Sequence, residues 1–257
     1  MPGVILVTND DGIHAPGLLA LALALGDLGE VYVVAPDREQ SAVGHALTLH
    51  RPLRVEQLGE RRFAVNGTPS DCVNLGILGL LPETPVLVAS GINHGANLGD
   101  DVTYSGTVSA AMEGTLLGVA SLAVSQVDPD GEGFAGAAAV ARAVAARLLV
   151  EGLPPQTLLN VNVPPGTPGG VRITRLGHRV YSAKAVQEMD PRGRPYYWIG
   201  AGSPTWEEDE EGSDIAAVHS GWASVTPLHL DLTHHGALRG LSGWEGGLNA
   251  ELKKREP

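Results

Sequence analysis

The sequence is poor in cysteine, in basic residues and in long hydrophobic runs. Its single cysteine, Cys72, excludes an intrachain disulfide framework and is typical of a protein from a reducing compartment. Lysine and arginine number 17 against 29 aspartates and glutamates, which gives a formal net charge of -12. This acidity argues against a nucleic-acid scaffold, whose footprint is a basic patch. It leaves room for a small anionic substrate, because a bound divalent cation reverses the local field.

No apolar run approaches the roughly 18 residues that a transmembrane helix needs, and the longest extends only from Leu18 to Leu25. The first residues, MPGVILVTND, lack a basic region and enter a predicted strand at once, so a signal peptide is not expected. We therefore expect a soluble cytoplasmic protein without membrane contact. Cys72 is either a nucleophile or a buried helix residue, and no histidine or asparagine motif marks it as a nucleophile.

Apolar strand patterns alternate with helical patterns through residues 1–165. This alternation predicts a single α/β domain with a mostly parallel sheet and helices on both faces. Continuous apolar runs indicate strands buried on both sides. The predicted strands are 4–8, 31–35, 86–90, 121–125 and 158–163, and the predicted helices are 16–28, 68–81, 107–118 and 133–150.

The pattern changes after Pro164. Residues 171–181 and 194–201 are predicted to be β segments, joined by the turn-rich stretch 190–193. The charge run 207–211 is interpreted as a solvated loop. A late strand is predicted over 225–232, followed by a polar helix or arm over 236–256.

Oxygen-bearing side chains follow three of the predicted strands. Asn9, Asp10 and Asp11 follow the first strand, residues 36–41 follow the second, and residues 91–99 follow the third. In an open parallel sheet, ligands bind at the carboxyl ends of the strands. The three segments are therefore expected to converge at one edge of the sheet.

The adjacent carboxylates of Asp10 and Asp11 are costly to hold together unless a cation neutralises them or one is protonated. A hard divalent cation with oxygen ligands satisfies this condition. The alternative is an ordinary polar turn, since Asp-Gly is a common turn signal. The polar residues at the other two strand ends favour the metal site.

A glycine-rich loop with Gly91, Gly95 and Gly99 precedes a predicted helix that begins near Ser105. Glycine lets the backbone approach a ligand closely, and a helix N-terminus suits a phosphate group. The alternative is a surface loop that ends in a Ser/Thr cap. The spacing matches neither a Walker loop nor a GxGxxG fingerprint.

Several histidines remain open in function. His14, His45 and His94 lie in the loops of the predicted active edge, where each is either an acid or substrate contact or an ordinary polar residue. His234 and His235 are adjacent and do not share a helix face, which disfavours a two-histidine metal site.

Long blocks of the sequence resemble the 5′-nucleotidase SurE (survival protein) family, in order and over essentially the whole chain. The resemblance is carried by VTNDDGIHAPG at 7–17, VVAPDREQSAVGHALTLH at 33–50, VNGTPSDCVNLG at 65–76, SGINHGANLGDDVTYSGTVSAAMEG at 90–114, NVNVPP at 160–165, DPRGRPYYWIG at 190–200 and VTPLHLDLT at 225–233.

The resemblance implies a Rossmann-like fold with a protruding β-hairpin and a C-terminal segment exchanged between subunits of a homodimer or homotetramer. In this chain it implies one domain, with a core at about 1–165 and 214–233, a hairpin region at about 171–205 and an arm at about 234–257. It also implies metal-dependent hydrolysis of nucleoside 5′-monophosphates, with one divalent cation per subunit, Mg²⁺ or Mn²⁺. The implied metal ligands are Asp10, Asp11, Ser41 and Asn93, and the implied phosphate contacts are Asn9, Asn97, Ser105, Gly106 and Thr107.

The expected chemistry is direct attack of metal-activated water on phosphorus, with Asp10 or Asp11 orienting or deprotonating that water. A covalent aspartyl-phosphate enzyme is disfavoured, since its two aspartates would lie two residues apart. A dinucleotide-dependent oxidoreductase needs GxGxxG after the first strand, where this chain has NDDG. A non-catalytic nucleotide or metal sensor on the same fold remains an alternative.

Overall fold

The computed structural model of the protein describes residues 3–127, 133–180, 185–199, 205–206 and 211–253. Within these ranges the main body is a nine-stranded sheet, and four further strands form two separate two-stranded sheets. Helices pack on both faces of the large sheet. The α/β fold that the alternation of strands and helices predicts is therefore confirmed.

The large sheet has the strand order β3-β4-β2-β1-β5-β6-β7-β13-β8. Its neighbouring strands are parallel, except that β3 pairs with β4, and β13 with β7, in the antiparallel sense. The strands are β1 Val4–Thr8, β2 Glu30–Pro36, β3 Val55–Gly59, β4 Arg62–Val65, β5 Leu87–His94, β6 Ser121–Gln126, β7 Thr157–Val163, β8 Val171–Ile173, β9 Arg179–Val180, β10 Ala185–Met189, β11 Pro195–Ile199, β12 Thr205–Trp206 and β13 Ala223–His229.

The helices cover the sheet because alternate residues of its strands point to opposite faces. In β1, Ile5 and Val7 pack with α1 and α4, whereas Leu6 packs against α2 and α3 on the other face. Each such fully buried side chain contributes about 1.5–3 kcal/mol to the hydrophobic stabilisation. The helices are α1 Pro16–Leu25, α2 Pro69–Leu75, α3 Gly106–Leu116, α4 Ala135–Glu151, α5 Asp214–His219, α6 His235–Leu241 and α7 Trp244–Lys253.

Helix α2 begins with the signals that the sequence predicts. The hydroxyl of Thr68 accepts from the Asp71 N–H at 3.1 Å, and the Asp71 carboxylate accepts from the Thr68 N–H at 2.9 Å. Pro69 occupies the first turn, where a missing N–H costs nothing. Cys72 is fully buried in this helix, and burial raises the pKa of its thiol. This confirms the interpretation of Cys72 as a buried helix residue.

Three parts of the structure differ from the expected arrangement. The segment 171–173 does not join the hairpin, because β8 pairs in parallel with β13 at the edge of the main sheet. The hairpin consists of β10 and β11, which pair in the antiparallel sense. Strands β3 and β4 extend the opposite edge and were not predicted. Of the predicted solvated loop at 207–211, residues 207–210 lie outside the described residues and Glu211 is exposed.

The last described residues form two helices, α6 and α7, where the sequence predicts a polar helix or arm. None of their residues is buried in the single chain. Among the described residues, no helix combines the length and apolar character that crossing a bilayer requires.

Candidate active site

The carboxyl ends of β1, β2 and β5 border a cleft of about 500 Å³. The expected convergence of three strand ends is thus present in the structure. Glu39, Asp101 and Tyr104, which were not expected as ligands, also line the cleft. The predicted site residues that line it are Asp10, Asp11, Ser41, Asn93, Asn97 and Ser105.

Asp10 lines the cleft, two residues after the end of β1, and is only 4% exposed. Burial raises the pKa of its carboxyl group from 3.8 to about 6, the hydrogen bond from the Thr107 hydroxyl opposes this, and the charge of Asp11 adds to it. Burial also raises the pKa of Asp11, whose carboxylate accepts from the His94 N–H at 3.2 Å. The two adjacent acids therefore sit in a place that disfavours their negative charge.

Helix α3 begins against the side chain of Asp10. A Cβ atom on Gly106, the first residue of α3, would lie 2.8 Å from both Cβ and Oδ2 of Asp10. Only glycine therefore allows this helix to approach the carboxylate so closely. The N–H groups of a first helical turn lack intrahelical partners and form a positive dipole end, so this helix start favours an anion beside it.

Two neutral oxygen donors share the cleft with the carboxylates. The Ser41 hydroxyl donates to Glu39 at 2.8 Å, which leaves its oxygen lone pairs for a cation. The Asn93 amide nitrogen donates to the Gly95 carbonyl at 2.9 Å, so the amide oxygen is not used in that bond. Carboxylate, hydroxyl and amide oxygens are the donor set of a hard cation and not of zinc.

In the described residues, a metal centre made of carboxylates and imidazoles alone is not found. Within the described ranges, no group of three or more His, Cys, Asp or Glu side chains is placed to hold a metal ion. A cation in the cleft would therefore need Ser41 and Asn93 beside Asp10 and Asp11. These four residues fit a hard divalent cation because all four offer oxygen donors to one cleft.

Three of the predicted phosphate contacts, Asn9, Gly106 and Thr107, do not line the cleft. Asn9 is fully buried, and its amide nitrogen donates to the Gly12 carbonyl at 3.0 Å. Thr107 is also fully buried, and its hydroxyl donates to Asp10 and not into the cleft. Ser105 caps α3 by accepting from the Val108 N–H at 3.1 Å. The side chain of Thr107 thus orients the Asp10 carboxylate, which the sequence did not indicate.

The histidines separate into distinct roles. His94 lines the cleft, whereas His14 is exposed and does not line it. His45 lies 2.6 Å from the Glu113 carboxylate of α3 and so ties the loop that carries Ser41 to the body. The two late histidines do not act together, since His234 caps α6 and His235 pairs with Asp231, four residues before it.

Residues behind the glycine-rich loop were missed as site residues. Ser125, Asn160, Asn162 and Asp214 are all buried and all hydrogen-bond to Asn97 or Gly99. For Asn160 and Asn162 the available signal was a pair of asparagines within the apolar run 158–163, because polar residues are rare in a strand covered on both faces.

Comparisons with known proteins agree on one family. Residues 5–183 match the family model described as survival protein SurE. The chain is 58% identical over 246 residues to a protein named 5′-nucleotidase SurE from Syntrophotalea carbinolica, covering 94% of this chain and 97% of the relative. It is 55% identical over 247 residues to a protein of the same name from Myxococcus xanthus, covering 95% and 94%. The crystal structure of the SurE protein from Aquifex aeolicus superposes with a TM-score of 0.85 at 44% identity, covering 94% of this chain and 99% of that one.

Proposed function

Because this chain belongs to the survival protein SurE family, we propose that it is a 5′-nucleotidase that hydrolyses nucleoside 5′-monophosphates with the help of a divalent cation. Its relatives at 53–58% identity are named 5′-nucleotidase SurE. The observation that carries the proposal is the cleft, in which two carboxylates, a hydroxyl and an amide border the N-terminus of α3. Such a cleft suits a cation and a phosphate side by side.

Asp10, Asp11, Ser41 and Asn93 would hold the cation, with Mg²⁺ or Mn²⁺ as the candidates. When bound, it would neutralise charge on the phosphate, polarise the phosphorus centre and activate water. The side chains of the protein position the ligands and the substrate. Thr107 donates to Asp10 and fixes the orientation of that carboxylate.

The phosphate group would lie at the start of α3, beside Ser105 and Asn97. Neutral donors and a helix dipole are suited to this task in a chain that has few basic residues. Water attacks phosphorus directly, so that one P–O bond forms while the bond to the 5′ oxygen of the nucleoside breaks. Asp10 or Asp11 orients the attacking water and accepts its proton, and the 5′ oxygen takes a proton from solvent as it leaves. The products are a nucleoside and inorganic phosphate.

Release of inorganic phosphate from a panel of nucleoside 5′-monophosphates tests this function. We expect turnover with Mg²⁺ or Mn²⁺, loss of turnover in excess chelator, and recovery when metal is restored. Full activity in excess chelator would contradict the role of the cation. Binding of metal and nucleotide without any phosphate release would instead identify a non-catalytic sensor.

The phosphoryl transfer itself is tested by acid quench during turnover. Direct attack by water leaves no covalent intermediate and inverts the phosphorus centre once. We expect no phosphorylated protein after quench and no transfer of phosphate to an added alcohol. A trapped phospho-aspartate or phosphoserine would overturn the direct mechanism, and the proposal of a nucleotidase activity would still stand.

We further propose a homodimer or homotetramer, in which the hairpin and the C-terminal helices contact another copy. Support comes from exposed apolar side chains at both places: Trp198 is 60% exposed and Ile199 90%, and Trp244 is 63% exposed and Leu252 66%. Apolar groups gathered at the surface mark interaction sites. Exchange of the arm between subunits is one arrangement that would cover them.

A further inference from the structure

The glycine-rich loop after β5 is anchored at every second residue. The Gly95 N–H donates to the Gln126 carbonyl of β6 at 3.0 Å. The Gly99 N–H donates at 2.9 Å to the carboxylate of Asp214, a fully buried residue that begins α5. Asn97 lies between these two anchors, lines the cleft and is only 7% exposed. Its own anchorage differs, because it is provided by side chains of two other strands, β6 and β7.

Two asparagines of β7 hold the main chain of Asn97. The Asn97 N–H donates to the Asn162 amide oxygen at 2.8 Å, and the Asn162 amide nitrogen donates back to the Asn97 carbonyl at 3.0 Å. The Asn160 amide nitrogen donates to the same carbonyl at 2.8 Å. Both backbone groups of Asn97 are therefore satisfied, and Asn162 makes two of the three bonds.

The side chain of Asn97 is oriented as well. Its amide nitrogen donates to the Ser125 hydroxyl at the end of β6, at 2.7 Å. An amide nitrogen has two hydrogens, so one remains after this bond is made. Main-chain and side-chain bonds together leave Asn97 a single orientation at the cleft wall.

Burying the two asparagines of β7 lowers the stability of the fold. Asn160 and Asn162 are fully buried, and the amide oxygen of Asn160 has no hydrogen-bond partner among the described residues. Burying an amide without full hydrogen bonding costs about 1–3 kcal/mol by protein mutational data. Their strand neighbours Leu158, Val161 and Val163 are apolar and fully buried. Apolar residues at 160 and 162 would suit the strand better, so the asparagines point to a task at the loop.

We propose that Asn160 and Asn162 are positioning residues, which set the phosphate affinity of the cleft by fixing Asn97. The inference rests on the proposed function, since it takes the cleft beside α3 as the phosphate site. Asn162 has the larger part because it holds both backbone groups of Asn97, whereas Asn160 supports one that Asn162 also holds.

The test compares Asn162→Leu and Asn160→Leu, which keep a side chain branched at Cγ and remove its polar contacts. For Asn162→Leu we expect KM for the nucleotide and the dissociation constant of inorganic phosphate to rise by about 10–100-fold, as for a displaced binding group. For Asn160→Leu we expect a rise of about 3-fold, since Asn162 still holds the carbonyl. Affinity for Mn²⁺ alone, measured by calorimetry, should change far less, because Asn97 is not one of the four proposed cation ligands.

Thr226→Val is the matched control. Thr226 lies opposite Asn160 on β13, is 2% exposed, and its hydroxyl bonds to the Thr174 hydroxyl at 2.7 Å. The variant removes a buried hydrogen bond from the next strand without touching the loop. It should lower Tm and leave KM and phosphate affinity unchanged.

The inference fails if Asn162→Leu binds inorganic phosphate as the wild type does, or if Thr226→Val weakens phosphate binding equally. If Asn162→Leu does not fold, Ser125→Ala replaces it, because it frees the Asn97 amide and spares the strand. Unchanged phosphate binding in that variant and in Asn160→Leu also overturns the inference. Wild-type protein that binds phosphate but releases none from nucleotides refutes the proposed function, and the comparison of phosphate affinities still decides the inference.

Discussion

Two regions of the molecule are built differently. One is the body, which carries the cleft. The other consists of the peripheral elements, namely the hairpin β10–β11 and the C-terminal helices α6 and α7. In the body, all five residues of β1 are buried, and the glycine-rich loop that lines the cleft is held by buried side chains. In the peripheral helices no residue is buried, and Trp244 is 63% exposed. Contacts within one chain determine the body, whereas the peripheral elements carry apolar surface that only another surface would cover.

The strongest test of this difference removes one charge from the cleft. Asp10→Asn deletes a proposed cation ligand without changing the size of the side chain. We expect kcat/KM for nucleotide hydrolysis to fall by at least about 10²–10³-fold, because charge stabilisation in a buried site is lost. The oligomeric state should not change. Both are measured on the same preparation, by phosphate release and light scattering.

Asp27→Asn is the control for that variant. Asp27 is exposed and pairs with Arg142 of α4, away from the cleft. It should keep wild-type activity, since exposed ion pairs contribute little. Wild-type activity in Asp10→Asn would show that the Asp10 carboxylate is not needed for hydrolysis. The difference between the body and the peripheral elements would then have no link to catalysis.

A smaller change tests whether close packing, and not charge alone, defines the cleft. In Gly106→Ala the new methyl group would meet Asp10 at 2.8 Å. The helix or the carboxylate must shift, and we expect kcat/KM to fall by about 10²-fold, as for a misplacement of about 1 Å. Gly79→Ala is the control, because a Cβ atom there has no neighbour within 4 Å. Equal activity of the two variants would show that α3 does not need this approach.

The peripheral elements are tested by placing a charge on their apolar surface. Leu248 of α7 is 54% exposed, and Leu23 of α1 is 73% exposed. If α7 contacts another copy, Leu248→Asp should weaken assembly by about 30-fold, as expected for loss of about 2 kcal/mol at an interface. Leu23→Asp should leave assembly unchanged. Truncation of residues 236–257 should lower the mass in solution further.

Light scattering at micromolar concentration measures these effects. A wild-type protein that is monomeric at that concentration would contradict the proposed assembly, and so would equal masses for Leu248→Asp and the wild type. In either case, contact with another copy would not explain the exposed apolar residues of the hairpin and the C-terminal helices. The body and the peripheral elements would then differ only in how well their residues are buried.

The sequence predicts the parts of the body in which one local signal is sufficient. Strand β1 is found where a continuous apolar run predicts it, and α2 begins at Thr68 with its cap and proline. The strand-end residues Asp10, Ser41 and Asn93 share a cleft because parallel strands end at one edge. Local pattern and topology thus lead to the neighbourhood of the site.

The supports of the site could not be predicted in this way. Asn97 is held by asparagines 63 and 65 residues away, and periodicity reports burial but not the hydrogen-bond partner. Strand β3 was missed for a different reason. All of its residues are exposed at the sheet edge, so it has no buried face to produce an alternating pattern.

The last prediction concerns stability and the link between the Ser41 loop and the body. Glu113 of α3 accepts from the Asn74 amide at 2.6 Å and lies 2.6 Å from His45, and its side chain is 8% exposed. The hydrogen bond from His45 is the main cause that holds the pKa of Glu113 below its ordinary value of 4.5, while burial and the charge of Asp71 oppose it.

A carboxyl group whose pKa is lower in the folded state stabilises the fold above its unfolded pKa, and loses that effect as the pH falls. Glu113→Gln should therefore lower the free energy of unfolding by about 1.5–3 kcal/mol at pH 6–7, the range for hydrogen bonds to charged groups. The difference from wild type should shrink as the pH falls below 4.5. Urea unfolding at several pH values measures it. Glu151→Gln, on an exposed pair with Arg147, should differ by less than about 1 kcal/mol throughout. A difference for Glu113→Gln that persists unchanged at acid pH would mean that the variant disturbs packing, and that the carboxylate is not what ties the loop to α3.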